Sequence, residues 1–277
     1  ATLAGAQMSP HNPPTGGVGT SSLLAGSSAG FRGYTNAAGA DARFNYPRGV
    51  ALSADGYTLY AADSYNNCVR QVDIATGAVS LTSGGGSRGF SAGMTNGLVN
   101  GNRYQARFGI PMGVARRPSD GMLVVTDSMN HAVRLVDPAT GAASCVASMS
   151  GGSGCTQASV LSNPTGIAAE NVNGGYVVTS PSKHVVYRVA ASGTTVKIGG
   201  QTGSPGSSNG GANSVARFNG PYGVALSPDD TVVYVADMKN HAVRTISSGV
   251  AGTLAGSPGS SGSADGTGTS ARFHEPC

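Results

Sequence analysis

The sequence predicts an all-β fold, a β-propeller with four complete four-stranded blades plus partial terminal repeats. Three observations lead there. The chain of 277 residues holds 44 glycines and 14 prolines but only three lysines and two glutamates, Glu170 and Glu275, so it lacks the residues that build long amphipathic helices. A Pro-x-Gly-Val/Ile-Ala segment recurs at Pro47, Pro111, Pro164 and Pro221, with spacings of 64, 53 and 57 residues. Each copy is followed by three further short apolar runs separated by turn residues, and four short strands per repeated unit is the arithmetic of a propeller blade.

Each element has its own reason. In the first strand of a unit, the glycine of Pro-x-Gly lets the backbone pass close to a neighbour, and the small apolar pair after it packs between sheets. The second strand is Thr58 to Asp63, Met122 to Asp127, Tyr176 to Ser180 and Val232 to Asp237, alternating in pattern. Asp63, Asp127 and Asp237 each end that strand before an Asn-containing turn, where a short carboxylate can accept turn amides. Arg70, Arg134, Arg188 and Arg244 follow seven or eight residues later on the third strand, a spacing that suits Asp–Arg pairing as a framework within or between blades. The third unit replaces the Asp by Ser180 and reads as carrying one inserted residue, which predicts an irregular turn there. A fourth run closes each unit, as in Gly252-Thr-Leu-Ala-Gly256.

An Ala-Arg-Phe signature precedes each first strand, at Ala42, Ala106, Ala216 and Ala271, and gives way to Ala158-Ser-Val-Leu161 in the third unit. Phenylalanines repeated in one slot read as plugs between blades.

Composition also excludes classes. Gly and Pro together make about a fifth of the chain, above an average globular sequence, yet 39% hydrophobic residues allow a packed core. The glycines do not recur every third residue, which excludes a collagen triple helix. No run approaches the length of an apolar membrane span. The net charge is +4, but most arginines sit in repeat slots and the sole adjacent basic pair is Arg116-Arg117, so no nucleic-acid partner is expected.

Four cysteines are present. Cys145 and Cys155 bracket a flexible Gly/Ser loop and are expected to form a local disulfide, in an extracellular, oxidising setting. Cys68 and Cys277 lie far apart in sequence and are candidates for a long-range or interchain bond. His131, His184 and His241 recur at one position, where the first unit has Asn67; a turn-stabilising role and a ring of metal ligands are the two readings, the first preferred. Nucleophile-elbow, zinc-protease and phosphate-loop motifs are absent, and no catalytic, cofactor-binding or metal-binding residue is assigned.

Together the Thr-Leu-Ala-Gly, Ala-Arg-Phe-x-x-Pro-x-Gly-Val-Ala, Leu-Tyr-Ala-Ala-Asp and Asn-His-Ala-Val-Arg segments resemble the NHL-repeat family of β-propellers over about residues 20–277. The resemblance implies the propeller fold and, in the family, an outer-turn location for the histidine slot. It says little of function, because the family includes adhesive modules, RNA or protein binders and a metal-dependent amidating lyase.

Residues 1–19 read as an N-terminal strand, Thr2 to Gly5, on a Pro/Gly-rich tether, and 20–277 as the propeller. A chain beginning at Ala1 reads as a processed form or a fragment. The expected function is a secreted, non-catalytic structural or protein-interaction module. Its partners would be copies of itself, added head to tail into a filament by strand addition, or another extracellular protein. The Ser/Thr-rich loops are candidate sites of O-linked glycans. The competing class is a metal-dependent lyase or hydrolase of the propeller type.

Overall fold

The computed structural model describes residues 22–85, 97–151 and 154–277. Its strands form four sheets in chain order. The first blade is Pro47–Leu52 (β1), Thr58–Asp63 (β2), Cys68–Asp73 (β3) and Val79–Ser83 (β4). The second is Pro111–Arg116 (β5), Leu123–Asp127 (β6), Ala132–Val136 (β7) and Ala143–Ser148 (β8), extended by Thr156–Gln157 (β9). The third is Ile167–Ala169 (β10), Tyr176–Ser180 (β11), Val185–Val189 (β12) and Thr195–Gly200 (β13). The fourth begins with Gly210–Gly211 (β14) and continues as Pro221–Leu226 (β15), Val232–Asp237 (β16), Ala242–Ser247 (β17) and Val250–Ala255 (β18). Consecutive strands pair antiparallel within each blade; β9 adds to β8 in parallel and β14 to β18 antiparallel.

The first strands of the blades stand side by side, and the Pro-x-Gly glycine is what lets them. A Cβ on Gly49 would lie 2.7 Å from the Gly113 Cα, one on Gly113 2.5 Å from the Thr165 carbonyl oxygen, and one on Gly166 2.2 Å from that of Tyr222. Each glycine therefore backs onto the x residue, or the glycine beside it, of the next unit. Gly223 continues the series against Cys277, at 2.9 Å, so Cys277 sits where the x residue of a further unit belongs. At the other end Leu24 stands where closing strands stand: a Cβ on Gly77 would meet its carbonyl oxygen, as one on Gly141 would meet Thr82 and one on Gly193 Val146. The segment Thr2 to Gly5 and its tether lie outside the described residues.

The core lies between blades. Tyr60, Ala62 and Val69 of the first blade pack with Phe108, Val114, Leu123 and Val125 of the second. Val124 and Val133 meet Leu161, Ile167 and Tyr176 at the next interface, and Val177 and Val186 meet Phe218, Val233 and Val235 at the third. Coverage decides burial here: Val114 is 5% exposed under the first blade, whereas Val50, in the same slot of β1, is 57% exposed.

The third unit corrects one sequence expectation. Ser180 pairs with Val185 across a turn of the same length as that joining Asp63 to Cys68, so nothing is inserted. The irregularity before the third slot of the outer pair falls at Val186/Tyr187, as it falls at Val69/Arg70, Val133/Arg134 and Val243/Arg244. Tyr187, not Arg188, thus occupies the arginine slot. Arg188 lies one residue further on and pairs with Glu170 at 2.6 Å. The turn itself does differ: the other blades carry a 3-10 turn at Ser64–Asn66, Ser128–Asn130 and Met238–Asn240, and the third does not.

Candidate functional site

The residues expected to form a framework meet in three equivalent clusters. Asp63, Asp127 and Asp237 are fully buried, and their carboxylates accept from Arg70, Arg134 and Arg244 at 3.0, 3.0 and 2.9 Å. Each also accepts from the turn amide of Asn66, Asn130 or Asn240, and from the backbone N–H of Asn45, Gly109 or Asn219. The guanidinium donates further to the loop before its own blade: Arg134 reaches the Arg107 and Val99 carbonyls and Asn100 Oδ1, and Arg70 and Arg244 make the matching contacts. Each lies over the phenylalanine of the Ala-Arg-Phe signature, with Arg134 4.8 Å from the Phe108 ring centre. Burial pushes all three carboxyls up, Asp127 to about 6, against the pull of the arginine and the donated hydrogen bonds. A buried charge held by so many partners ties loop, turn and strand together and leaves no open position for a substrate.

The recurrent histidines lock one blade to the next. Asn67, His131, His184 and His241 all hold left-handed backbone, at φ 54, 50, 59 and 56°. Asn67 Oδ1 accepts from the Ile110 N–H at 2.9 Å; His131, His184 and His241 accept through Nδ1 from Asn163, Gly220 and Glu275 at 3.0, 3.1 and 3.1 Å. Every donor is the residue before the next unit's proline. Burial and Lys239 hold the His184 imidazole below its usual range. Among the described residues no group of three or more His, Cys, Asp or Glu side chains could hold a metal ion.

Cys145 and Cys155 are joined by a disulfide that ties β8 to the strand β9 beside it. Cys68 is buried at the start of β3 and Cys277 is exposed; they are not bonded to each other.

One concave site falls outside these clusters. The first strands of all four blades surround a cavity of about 630 Å3, lined by the x residues Arg48, Met112, Thr165, Tyr222 and Cys277 together with their glycines, Tyr46 and Ile167. Arg48 is the one Arg, Lys, Asp or Glu side chain among this lining, and its Nη1 donates across the axis to the Tyr222 hydroxyl at 2.6 Å. Tyr46 packs on Tyr65 with ring centres 4.8 Å apart, and the Arg32 guanidinium lies 5.7 Å from the Tyr46 ring centre. Sequence reasoning passed over Arg48 and Tyr222, although a signal was present. Pro, Gly and the apolar pair repeat in every unit, while x alone changes, as Arg, Met, Thr and Tyr.

Blades ranged about a central cavity with their first strands innermost define a β-propeller. The NHL repeat model matches residues 44–72, which span the Phe44 slot, β1, β2 and most of β3. NHL repeat-containing protein 2 of Bos taurus is 36% identical over 101 residues, 36% of this chain and 14% of that protein. Protein SUPPRESSOR OF QUENCHING 1, chloroplastic, of Arabidopsis thaliana is 22% identical over 219 residues, 79% of this chain and 15% of that protein. The chain thus carries a segment that matches an NHL repeat, and it spans only about a seventh of the length of these relatives. Among solved structures, a structural genomics protein of unknown function from Bacteroides thetaiotaomicron superposes with a TM-score of 0.54 at 19% identity, covering 92% of this chain and 68% of that one. An auxiliary nutrient binding protein from the same organism gives 0.53 at 16% identity, covering 92% and 69%. At such identities the likeness is one of fold.

Proposed function

We propose that this chain is a non-catalytic interaction module that receives its partner at the axial cavity and the loops around its mouth. The observation that carries the reading is the division of labour among the polar residues. The repeated Asp, Asn, Arg and His side chains are spent on holding loops and neighbouring blades, whereas the x residues differ from blade to blade and line an accessible cavity. Variation confined to one exposed ring is what a binding site on a repeated scaffold requires.

The Cys145–Cys155 disulfide supports a secreted protein, because such bonds persist in oxidising compartments. Self-association is the finer form of the module: Val50 and Leu52, at 57% and 50% exposure, present an apolar face of the kind that blade-on-blade packing covers elsewhere in the fold. Sedimentation velocity over a concentration series tests that form. Mass action should produce larger species, and a single monomeric boundary throughout would remove it. The Ser/Thr-rich loop at 257–270 is largely exposed and offers room for O-linked sugars.

Photo-crosslinking tests the main reading. A photoreactive residue at Met112 should give a saturable partner adduct in the chain's native extract, whereas one at the exposed Val172, in the β10–β11 connection, should not. Equal labelling from both positions would contradict the proposal.

A further inference from the structure

We propose that the Asn173-Gly174 pair, in the β10–β11 connection, is a self-modification site at which the asparagine converts to aspartate and isoaspartate through a cyclic imide, and that the fold selects this pair by holding the others. The Gly174 backbone nitrogen attacks the Asn173 side-chain carbonyl carbon. A new C–N bond closes the ring, and the side-chain nitrogen leaves as ammonia with the proton that the backbone nitrogen gives up. Water then opens the ring at either carbonyl. One opening leaves aspartate in place of Asn173, and the other routes the backbone through the side-chain carbon as isoaspartate. Water is the only co-reactant.

Four Asn-Gly pairs lie among the described residues, at Asn100, Asn173, Asn209 and Asn219. Three are held at a reacting group. Asn100 Oδ1 accepts from Arg134 at 2.9 Å, and the Gly101 N–H is donated to the Ala143 carbonyl at 3.0 Å. Asn209 Oδ1 accepts from Arg244 at 2.7 Å and from the Thr253 hydroxyl at 3.2 Å, and Gly210 is fixed in β14. The Gly220 N–H donates to His184 Nδ1 at 3.1 Å, so the nitrogen that would attack Asn219 is engaged. Each such bond restrains a group that ring closure must bring into a near-attack geometry.

Asn173 differs at both groups. It is exposed, and neither its side chain nor the Gly174 N–H has a hydrogen-bond partner among the described residues. A Cβ on Gly174 would meet nothing within 4 Å, so the pair stands in open space. Its surroundings are anchored, which confines the freedom to these two residues. Asn171 Nδ2 donates to the Pro228 carbonyl and to Asp230 Oδ1, both at 3.2 Å, the Val172 N–H donates to Asp230 Oδ2 at 2.7 Å, and the Glu170 N–H donates to the Gly175 carbonyl at 2.9 Å. Conversion places a carboxylate one residue from the bond that joins the third blade's loop to Asp230 of the fourth. The like charge opposes Asp230, and isoaspartate also lengthens the backbone of the turn, so the modification loosens this contact between blades.

Incubation of the 277-residue chain at mildly alkaline pH, followed peptide by peptide with mass spectrometry, tests the assignment. Asn173 should gain the mass of amide-to-acid conversion and appear as two isomers, one of them methylated by an isoaspartyl carboxyl methyltransferase. Its rate should exceed those of Asn100, Asn209 and Asn219 on the order of tenfold, the factor that one restraining hydrogen bond supplies. In denaturant the four rates should converge. His184→Ala, which frees the Gly220 N–H, should raise the Asn219 rate by about the same factor and leave that of Asn173 unchanged. Equal rates at the four sites in the folded chain, a lead at Asn173 that persists after unfolding, or an Asn219 rate indifferent to His184→Ala would overturn the selection by the fold. In the converted chain and in Asn173→Asp the Val172 amide should exchange faster than in the parent; unchanged exchange in both would overturn the effect on the blade contact.

Discussion

At the scale of single residues, the left-handed turn position explains why histidine and asparagine share a slot. Both tolerate positive φ, and both present an acceptor one step from the backbone, Oδ1 or Nδ1. For histidine that acceptor exists only while the imidazole is neutral. The unfolded chain takes up this proton near pH 6.5, while folded His184 takes it up only at lower pH, being held below its usual range. Between those limits the unfolded state binds more protons, so this bond's contribution to stability is present above about pH 6.5 and falls away as the pH drops. His184→Asn, which installs the first blade's solution, should make chemical denaturation less sensitive to pH over that window. Identical pH profiles for parent and variant would contradict it.

The same scale shows what could be read in advance. The Asp–Arg pairing, the phenylalanine slots and the third unit's departure were legible because residue type and spacing repeat. The place of Arg188 was not, because a nearby arginine satisfies a spacing count while register alone reveals that Tyr187 holds the slot. The third blade replaces the cluster as a set, with Ser180, Tyr187 and Leu161 for aspartate, arginine and phenylalanine. That substitution keeps a buried site free of an unpaired charge.

Among the elements, close approach and covalent closure do separate work. Gly166 in the third unit is the tightest of the blade-to-blade contacts, its missing Cβ lying 2.2 Å from the Tyr222 carbonyl oxygen. Gly166→Ala should destabilise the chain by about 1–3 kcal/mol through overpacking, read as a lower denaturation midpoint. Gly56→Ala meets no neighbour within 4 Å, so any cost there comes from its φ of +77° alone. An equal loss in both would show that contact is not the cause at Gly166. The disulfide between Cys145 and Cys155 closes a loop with a sequence separation of 10. Replacing both cysteines by serine should cost about 2–3 kcal/mol by the loop-entropy relation, and the parallel pairing of β9 with β8 should show faster amide exchange. Unchanged exchange at Thr156 and Gln157 would separate the strand from its bond. The cysteine spacing made that closure legible in the sequence, but the strand β9 was not, since two residues carry no periodic pattern.

Across the whole molecule, repetition and variation mark different tasks. Sequence reading recovers the blades, since each depends on local pattern, and misses the axial site, since that site exists only where the first strands of separate blades converge. Arg48 and Tyr222 are 174 residues apart and meet over one hydrogen bond. The claim at this scale is that the repeated charges hold the scaffold while the axial arginine does not. Comparing the thermal unfolding midpoints of Arg134→Met and Arg48→Met tests it most directly. Removing Arg134 strands a fully buried carboxylate, a loss on the order of 3–5 kcal/mol, equivalent to a midpoint about 10 °C lower for a chain of this size. Arg48→Met should unfold within a degree or two of the parent. A midpoint for Arg48→Met as low as that of Arg134→Met, or an Arg134→Met midpoint at the parental value, would contradict the account.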